Sequence, residues 1–360
     1  MKLQNVLFRT DASRKIGIGH VLRCIALATA LQEKGVVCIF ACRPFDGNLI
    51  HLIEKSGFDT ICMRPSSNTD VDPNNYESWL GASYESDAEE INSIITSINP
   101  EWVFTDHYGI DERWENIVKQ VCKRIFVIDD LANRKHACNA ILDSSFGRDA
   151  KDYIGLVDSN TPVYVGPMFC LLRSEFPQLR IKMAIRNYQQ PLKNILITFG
   201  GSDMGSVIIQ ALEDLEKIDD YPNLSIVVIL GPISTHYKEI KKKAANSRHA
   251  VTIKKNVSNM GEYLIWADLC IGAVGSSIWE RCCLGCPSIV TVLAQNQRDG
   301  AHKLEAAGVL LTYSSKNSGD LVDKIKHMDC NMRKKLSING INLVDGMGTV
   351  RVLNKLFELS

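Results

Sequence analysis

Five short clusters in the chain bring together residues able to bind anions or move protons. The first, RTDASRKIGIGHVLRC (residues 9–24), carries Gly17, Gly19 and His20. Glycines allow a tight turn and a close approach of backbone to ligand. His20 falls where a helix begins, beside free N–H groups and the positive end of the helix dipole. That place favours a neutral imidazole, as a general base requires. The competing reading is a dinucleotide loop or a capping histidine. Against the first, G-x-G-x-x-G is incomplete, because Arg23 and Cys24 follow.

The second cluster, TDHYGID (residues 105–111), gathers Asp106, His107 and Tyr108 at the end of an apolar run. These residues bind substrate or orient a base, or else Asp106 caps the next helix and His107 is a satisfied polar residue. Asp129 and Asp130 form a similar pair that could cap a helix, and they are left out of the catalytic set. The third, FGGSD (residues 199–203), has Gly200 and Gly201 to bring backbone N–H groups to an anion. A plain turn is its rival. The fourth, GAVGSSIWE (residues 272–280), opens a helix with Ser276 and Ser277, hydroxyls suited to phosphate. Glu280 shares their helix face and can accept hydrogen bonds from a ribose diol. Ordinary serine capping is the alternative. The fifth, AQNQRDGAH (residues 294–302), offers Asn296 and Gln297 to sugar amides or hydroxyls, unless it is merely a polar loop.

These clusters need a scaffold that holds them at strand ends. Apolar strand-like runs alternate with helical patterns along the chain, which predicts parallel sheets with crossover helices. At 360 residues the chain exceeds one hydrophobic core. The polar, basic stretch 177–193, bounded by Pro177 and Pro191, reads as a linker. An N-terminal Rossmann-like domain over 1–176 and a C-terminal one over 194–360, ending in helices, are expected. In open α/β sheets ligands lie beyond the carboxyl ends of the strands, so the cleft between the domains is the expected site.

Composition narrows the function. Lys plus Arg and Asp plus Glu each number 41, and no basic patch suggests nucleic acid or a membrane surface. No apolar run approaches the roughly 18 residues that span a bilayer, and the N-terminus lacks a signal-peptide core. A cytoplasmic protein, expected to be a monomer, follows. Its 12 cysteines are expected as thiols. Cys282, Cys283 and Cys286 lack a second ligand pair at zinc spacing, so no metal or other cofactor is expected.

Taken together, FRTDASRKIGIGHVLRC, DHYGI, GPMFCLLRSEF, FGGSD, GSSIWE and QNQRDGAH span nearly the whole chain. In that order they resemble the family of UDP-2,4-diacetamido-2,4,6-trideoxy-β-L-altropyranose hydrolases of pseudaminic acid biosynthesis. The resemblance implies a GT-B fold, akin to the MurG glycosyltransferase, and a UDP-sugar as small-molecule partner. It implies His20 as the catalytic histidine, with Tyr108 and Asn296 holding the sugar or the attacking water. It implies Gly200, Gly201, Ser276, Ser277 and Glu280 as UDP-holding elements. Water would attack C1, UDP would leave with inversion, and the free sugar would feed surface or flagellar glycans. The alternatives are a GT-B glycosyltransferase using a UDP-amino-sugar donor and a non-catalytic sensor of nucleotide sugars.

Overall fold

The computed structural model describes residues 3–66, 71–72, 75–182, 186, 188–201, 204–221, 223–317 and 319–359. The chain forms two Rossmann-like units. One comprises Met1–Arg173 with Met347–Ser360, and the other Ser174–Gly346.

The first unit holds seven strands: β1 (Asn5–Thr10), β2 (Val37–Cys42), β3 (Asp59–Cys62), β4 (Trp102–Asp106), β5 (Ile125–Ile128), β6 (Ala140–Asp143) and β7 (Val163–Val165). All are parallel, in the order β3-β2-β1-β4-β5-β6-β7. Helices α1 (Gly19–Gln32), α2 (Ile50–Lys55), α3 (Tyr84–Ile98) and α4 (Glu112–Val118) make the connections. Parallel register stacks one apolar column across four strands. Phe8 pairs with Phe40 and Phe104, and Phe104 with Phe126, at ring separations of 4.9, 4.8 and 5.2 Å. Strands covered on both faces read as continuous apolar runs for this reason.

The second unit holds β8 (Asn194–Thr198), β9 (Ser225–Leu230), β10 (Ala250–Lys255), β11 (Leu269–Ala273), β12 (Ser288–Thr291) and β13 (Leu311–Thr312). They too are parallel, in the order β10-β9-β8-β11-β12-β13. Its helices are α5 (Glu175–Lys182), α6 (Gly205–Leu215), α7 (Tyr237–Ala245), α8 (Met260–Trp266), α9 (Ser277–Cys283), α10 (Arg298–Ala306), α11 (Asp320–Lys326) and α12 (Cys330–Leu343).

Two features differ from the sequence reading. The last helix, α13 (Gly348–Leu359), belongs to the first unit and not to the one that precedes it. Its Val352, Leu353 and Leu356 bury in the same core as Phe8 and Val21. A buried leucine contributes roughly 1.5–3 kcal/mol. Thr349 Oγ1 fixes the helix start, donating to Leu172 O at 2.8 Å and accepting from Leu172 N–H at 3.0 Å. The other difference is the linker. Residues 177–182 are helix α5, inside the second unit; residues 183–185 and 187 lie outside the described residues. Two of the linker's basic side chains, Arg180 and Arg186, face helix ends. Arg180 donates to the carbonyls of Cys283, Ile341 and Val344, and Arg186 to those of Ala267 and Leu284. Cations suit the unpaired carbonyls of helix C-termini. Among the described residues no helix is long and apolar enough to cross a membrane.

Candidate functional site

The first sheet reverses its strand order between β1 and β4, and the second between β8 and β11. Such switch points open a crevice at the strand ends, and most of the expected site residues stand at one or the other.

In the first unit the chain leaves β1 and turns through Gly17, whose φ of 87° suits glycine, its N–H bonded to Ser13 O at 2.8 Å. Gly19 then opens α1, and His20 follows it, buried. His20 Nδ1 lies 2.6 Å from Asp106 Oδ1, at the end of β4. The Arg23 guanidinium reaches the same carboxylate with Nη2 at 2.6 Å and with Nε, and its Nη1 reaches Asp130 Oδ2 at 2.7 Å. Tyr108 closes the chain by donating its hydroxyl to Asp130 Oδ2 at 2.8 Å, while its ring meets the His20 ring edge-on at 4.5 Å. Trp79 packs on Tyr108, and Tyr76 on both.

Burial alone would raise the Asp106 carboxyl, but Arg23 and His20 overcome it and hold the group down at about 2. An ionised carboxylate accepts only, so Nδ1 carries a hydrogen toward it and Nε2 is the ring nitrogen left facing away from that bond. Nε2 is therefore the nitrogen able to take a proton, and Asp106 steadies the imidazolium that results. Burial, and then Asp130, push the Tyr108 phenol well above its ordinary value, so it stays a hydrogen-bond donor. On its far side Tyr108 lines a pocket of about 310 Å³ with Tyr76, Glu77, Gly109, Asp111 and Arg134.

His107 is differently placed. Its Nδ1 accepts from Gly109 N–H at 3.0 Å, and Nε2 faces Asp11 at 3.4 Å. Burial lowers its pKa, and neither nitrogen is available. Asp11 belongs to a closed cluster beneath the site, where Arg9 bridges Asp11 and Asp87 at 2.7 and 2.8 Å and Arg43 reaches Asp87 at 2.7 Å.

The capping alternatives for Asp106 and Asp130 do not hold. Asp106 does not cap α4; Asp111 does, accepting from Arg113 N–H at 2.9 Å. No helix follows Asp130, which instead accepts from Arg23 and Tyr108. In the sequence Arg23 reads only as an interruption of a glycine motif. The signal was its spacing, since three residues after His20 it shares a helix face.

In the second unit Gly200, with φ 76°, and Gly201 turn the chain after β8. Ser202 and Asp203 of the same motif lie outside the described residues. Gly231, after β9, escaped the sequence reading. A Cβ there would stand 2.8 Å from Gly201 Cα, so only glycine lets the two turns pack. After β11, Ser276 is exposed at the start of α9 and makes no side-chain cap bond. Ser277 and Glu280 are half-buried on that helix. Asn296 and Gln297 lie one strand further on, in a turn after β12. Asn296 is exposed, and Gln297 Oε1 accepts from Leu293 N–H at 3.2 Å. Cys282 and Cys286 are buried thiols pushed up to about 12, and Cys283 to about 11, which suits inert core residues. Among the described residues no group of His, Cys, Asp and Glu could hold a metal ion.

Residues 195–339 match the glycosyltransferase family 28 C-terminal domain. An uncharacterized protein of Methanocaldococcus jannaschii is 30% identical over 293 residues, covering 80% of this chain and 55% of that protein. A UDP-2,4-diacetamido-2,4,6-trideoxy-β-L-altropyranose hydrolase of Campylobacter jejuni is 29% identical over 216 residues, covering 59% of this chain and 66% of that protein. The matched region thus spans between 55% and 66% of these curated relatives. MurG of Acinetobacter baumannii superposes with a TM-score of 0.68 over 99% of both chains at 11% identity, which shows a shared GT-B fold.

Proposed function

We propose that the protein hydrolyses a UDP-activated amino sugar at its anomeric carbon, and that the sugar is 2,4-diacetamido-2,4,6-trideoxy-β-L-altropyranose. The observation that carries this reading is the 2.6 Å contact between His20 Nδ1 and Asp106 Oδ1, which reserves Nε2 as a base. Water gives its proton to Nε2 as its oxygen bonds to C1. The bond from C1 to the β-phosphate oxygen breaks, and its electrons leave with UDP. The attack comes from the face opposite the leaving group, so the anomeric centre inverts.

In this reading Gly17 and Gly19 give the sugar room, and Tyr108, Asn296 and Gln297 hold the sugar or the water. Gly200, Gly201, Ser276 and Ser277 hold the diphosphate, where fixed donors stabilise the charge that develops. Glu280 accepts from the ribose diol. Tyr108 cannot itself be the base, because its proton is committed to Asp130.

The family 28 domain favours a second reading, transfer of the sugar to an acceptor hydroxyl that His20 deprotonates. One experiment separates the two. The purified protein is incubated with UDP-diacetamido sugars in water enriched in heavy oxygen, with no acceptor. The hydrolase releases UDP and carries the label in the sugar. UDP release only on adding an acceptor would make it a transferase. Label in the nucleotide would place the attack on phosphorus and overturn the mechanism.

A further inference from the structure

At the second switch point, a buried cation has no carboxylate partner among the described residues. Arg281, on α9, is 1% exposed. Its Nη2 donates to Ala273 O at 2.6 Å and Ser277 Oγ at 3.4 Å, and its Nε to Ser277 O at 3.3 Å. Nη1 is buried without a hydrogen-bond partner. It lies against Gly272, which pairs with Thr198 across β11 and β8. A Cβ on Gly272 would stand 3.0 Å from Nη1 and would strike Thr198 O. The guanidinium therefore sits where β8 and β11 end, between the turn bearing Gly200 and the turn bearing Ser276. Among the described residues no carboxylate pairs with it.

A buried charge is costly unless it is paired. The buried arginines of the first unit obey that rule, since Arg9, Arg23 and Arg43 all face carboxylates. In the second unit Arg281 and Arg333 both meet backbone carbonyls instead, and Arg281 alone of the two does so at the place where an open α/β sheet takes its ligand. Glycines bare the backbone on both sides of it. A fixed cation there, walled off from water, acts more strongly on an anion than one in solvent.

We infer that Arg281 is a positioning residue for the diphosphate of the nucleotide, a role that rests on the UDP-sugar reading. It holds the Ala273–Ser277 turn through its fork and supplies the positive charge that the diphosphate answers. The charge acts through the turn and not by direct contact, because Nη1 is covered.

The test is a ladder of nucleosides measured by calorimetry on the whole chain. UDP, UMP and uridine are titrated into the parent, Arg281→Lys and Arg281→Gln. The parent binds UDP more tightly than uridine. Arg281→Gln, which can still donate to Ala273 O, loses about ten-fold in UDP affinity, less for UMP, and nothing for uridine. Arg281→Lys keeps the charge and stays within about three-fold for UDP. A disordered turn would weaken uridine as much as UDP, so equal losses down the ladder overturn the inference. So does unchanged UDP affinity in Arg281→Gln, or failure of both variants to fold, which would make the residue a structural clamp. A parent that binds uridine and UDP equally removes the charge role, and one that binds no UDP overturns the donor reading itself.

Discussion

The two switch points have the same architecture and opposite electrostatic finish. In the first unit each buried charge has its partner. Asp106 meets Arg23 and His20, Asp130 meets Arg23 and Tyr108, and Asp87 meets Arg9 and Arg43. At the second switch point bare turns and a buried arginine held by backbone carbonyls replace that network. A base must have its proton acceptor aimed before substrate arrives, which demands a closed set of hydrogen bonds. An anion-binding site needs the reverse, donors and charge left for the ligand to satisfy. The fold is indifferent to the choice, and a few side chains at the strand ends decide it.

The sharpest way to break that contrast is to remove the proposed base. His20→Asn is expected to lower kcat by ~10²–10⁴-fold with KM little changed, the mark of a group acting in the transition state. Steady-state kinetics on the UDP-sugar checks it, and near-parental turnover would strip the first unit of its catalytic role. Acid probes the closed network next. Asp87 and Asp106 are held down at about 2 in the folded chain, against an ordinary value of 3.8. Their contribution is present above pH 4 and is lost as pH falls toward 2, about 2 kcal/mol for each group. Hydrogen exchange at pH 6 and pH 3 should show protection lost around β1 and β4; equal protection at both would contradict the network.

The second unit is read by nucleotide affinity. Glu280→Ala is expected to weaken UDP binding by 1–3 kcal/mol, and calorimetry showing parental affinity would remove Glu280 from the site. The smallest expected effects sharpen the contrast within and between the units. His107→Asn should change kcat by no more than about three-fold, since both ring nitrogens already face the protein. Exhaustive chelation with EDTA should leave turnover unchanged. Loss restored by Mg²⁺ would show that the diphosphate is held by a metal and not by the protein's own donors.

Much of this was legible in sequence. The alternation of apolar runs with helical patterns marks both sheets, since strands buried on two faces cannot hide their composition. Gly17, His20, Tyr108, Gly200 and Ser276 stand out because each cluster is local. What could not be read was pairing over distance. Asp130 looks like any end-of-strand acid, and its partner Arg23 is 107 residues away. Arg281 follows Glu280 in a stretch that reads as an ordinary exposed helix, and only burial reveals that its charge is unmet. The helix α13 has an evident apolar face in TVRVLNKLFEL, but the face does not say which sheet it covers.

That last helix sets an order of assembly. Residues 174–346 form the second unit without interruption, so its whole sequence is translated before α13 is. Until then the core around Phe8 and Val21 lacks Val352, Leu353 and Leu356. The part of the molecule that begins first is therefore finished last, and a chain broken off near residue 346 would pair a complete second unit with a first unit whose apolar face is open to chaperones and proteases.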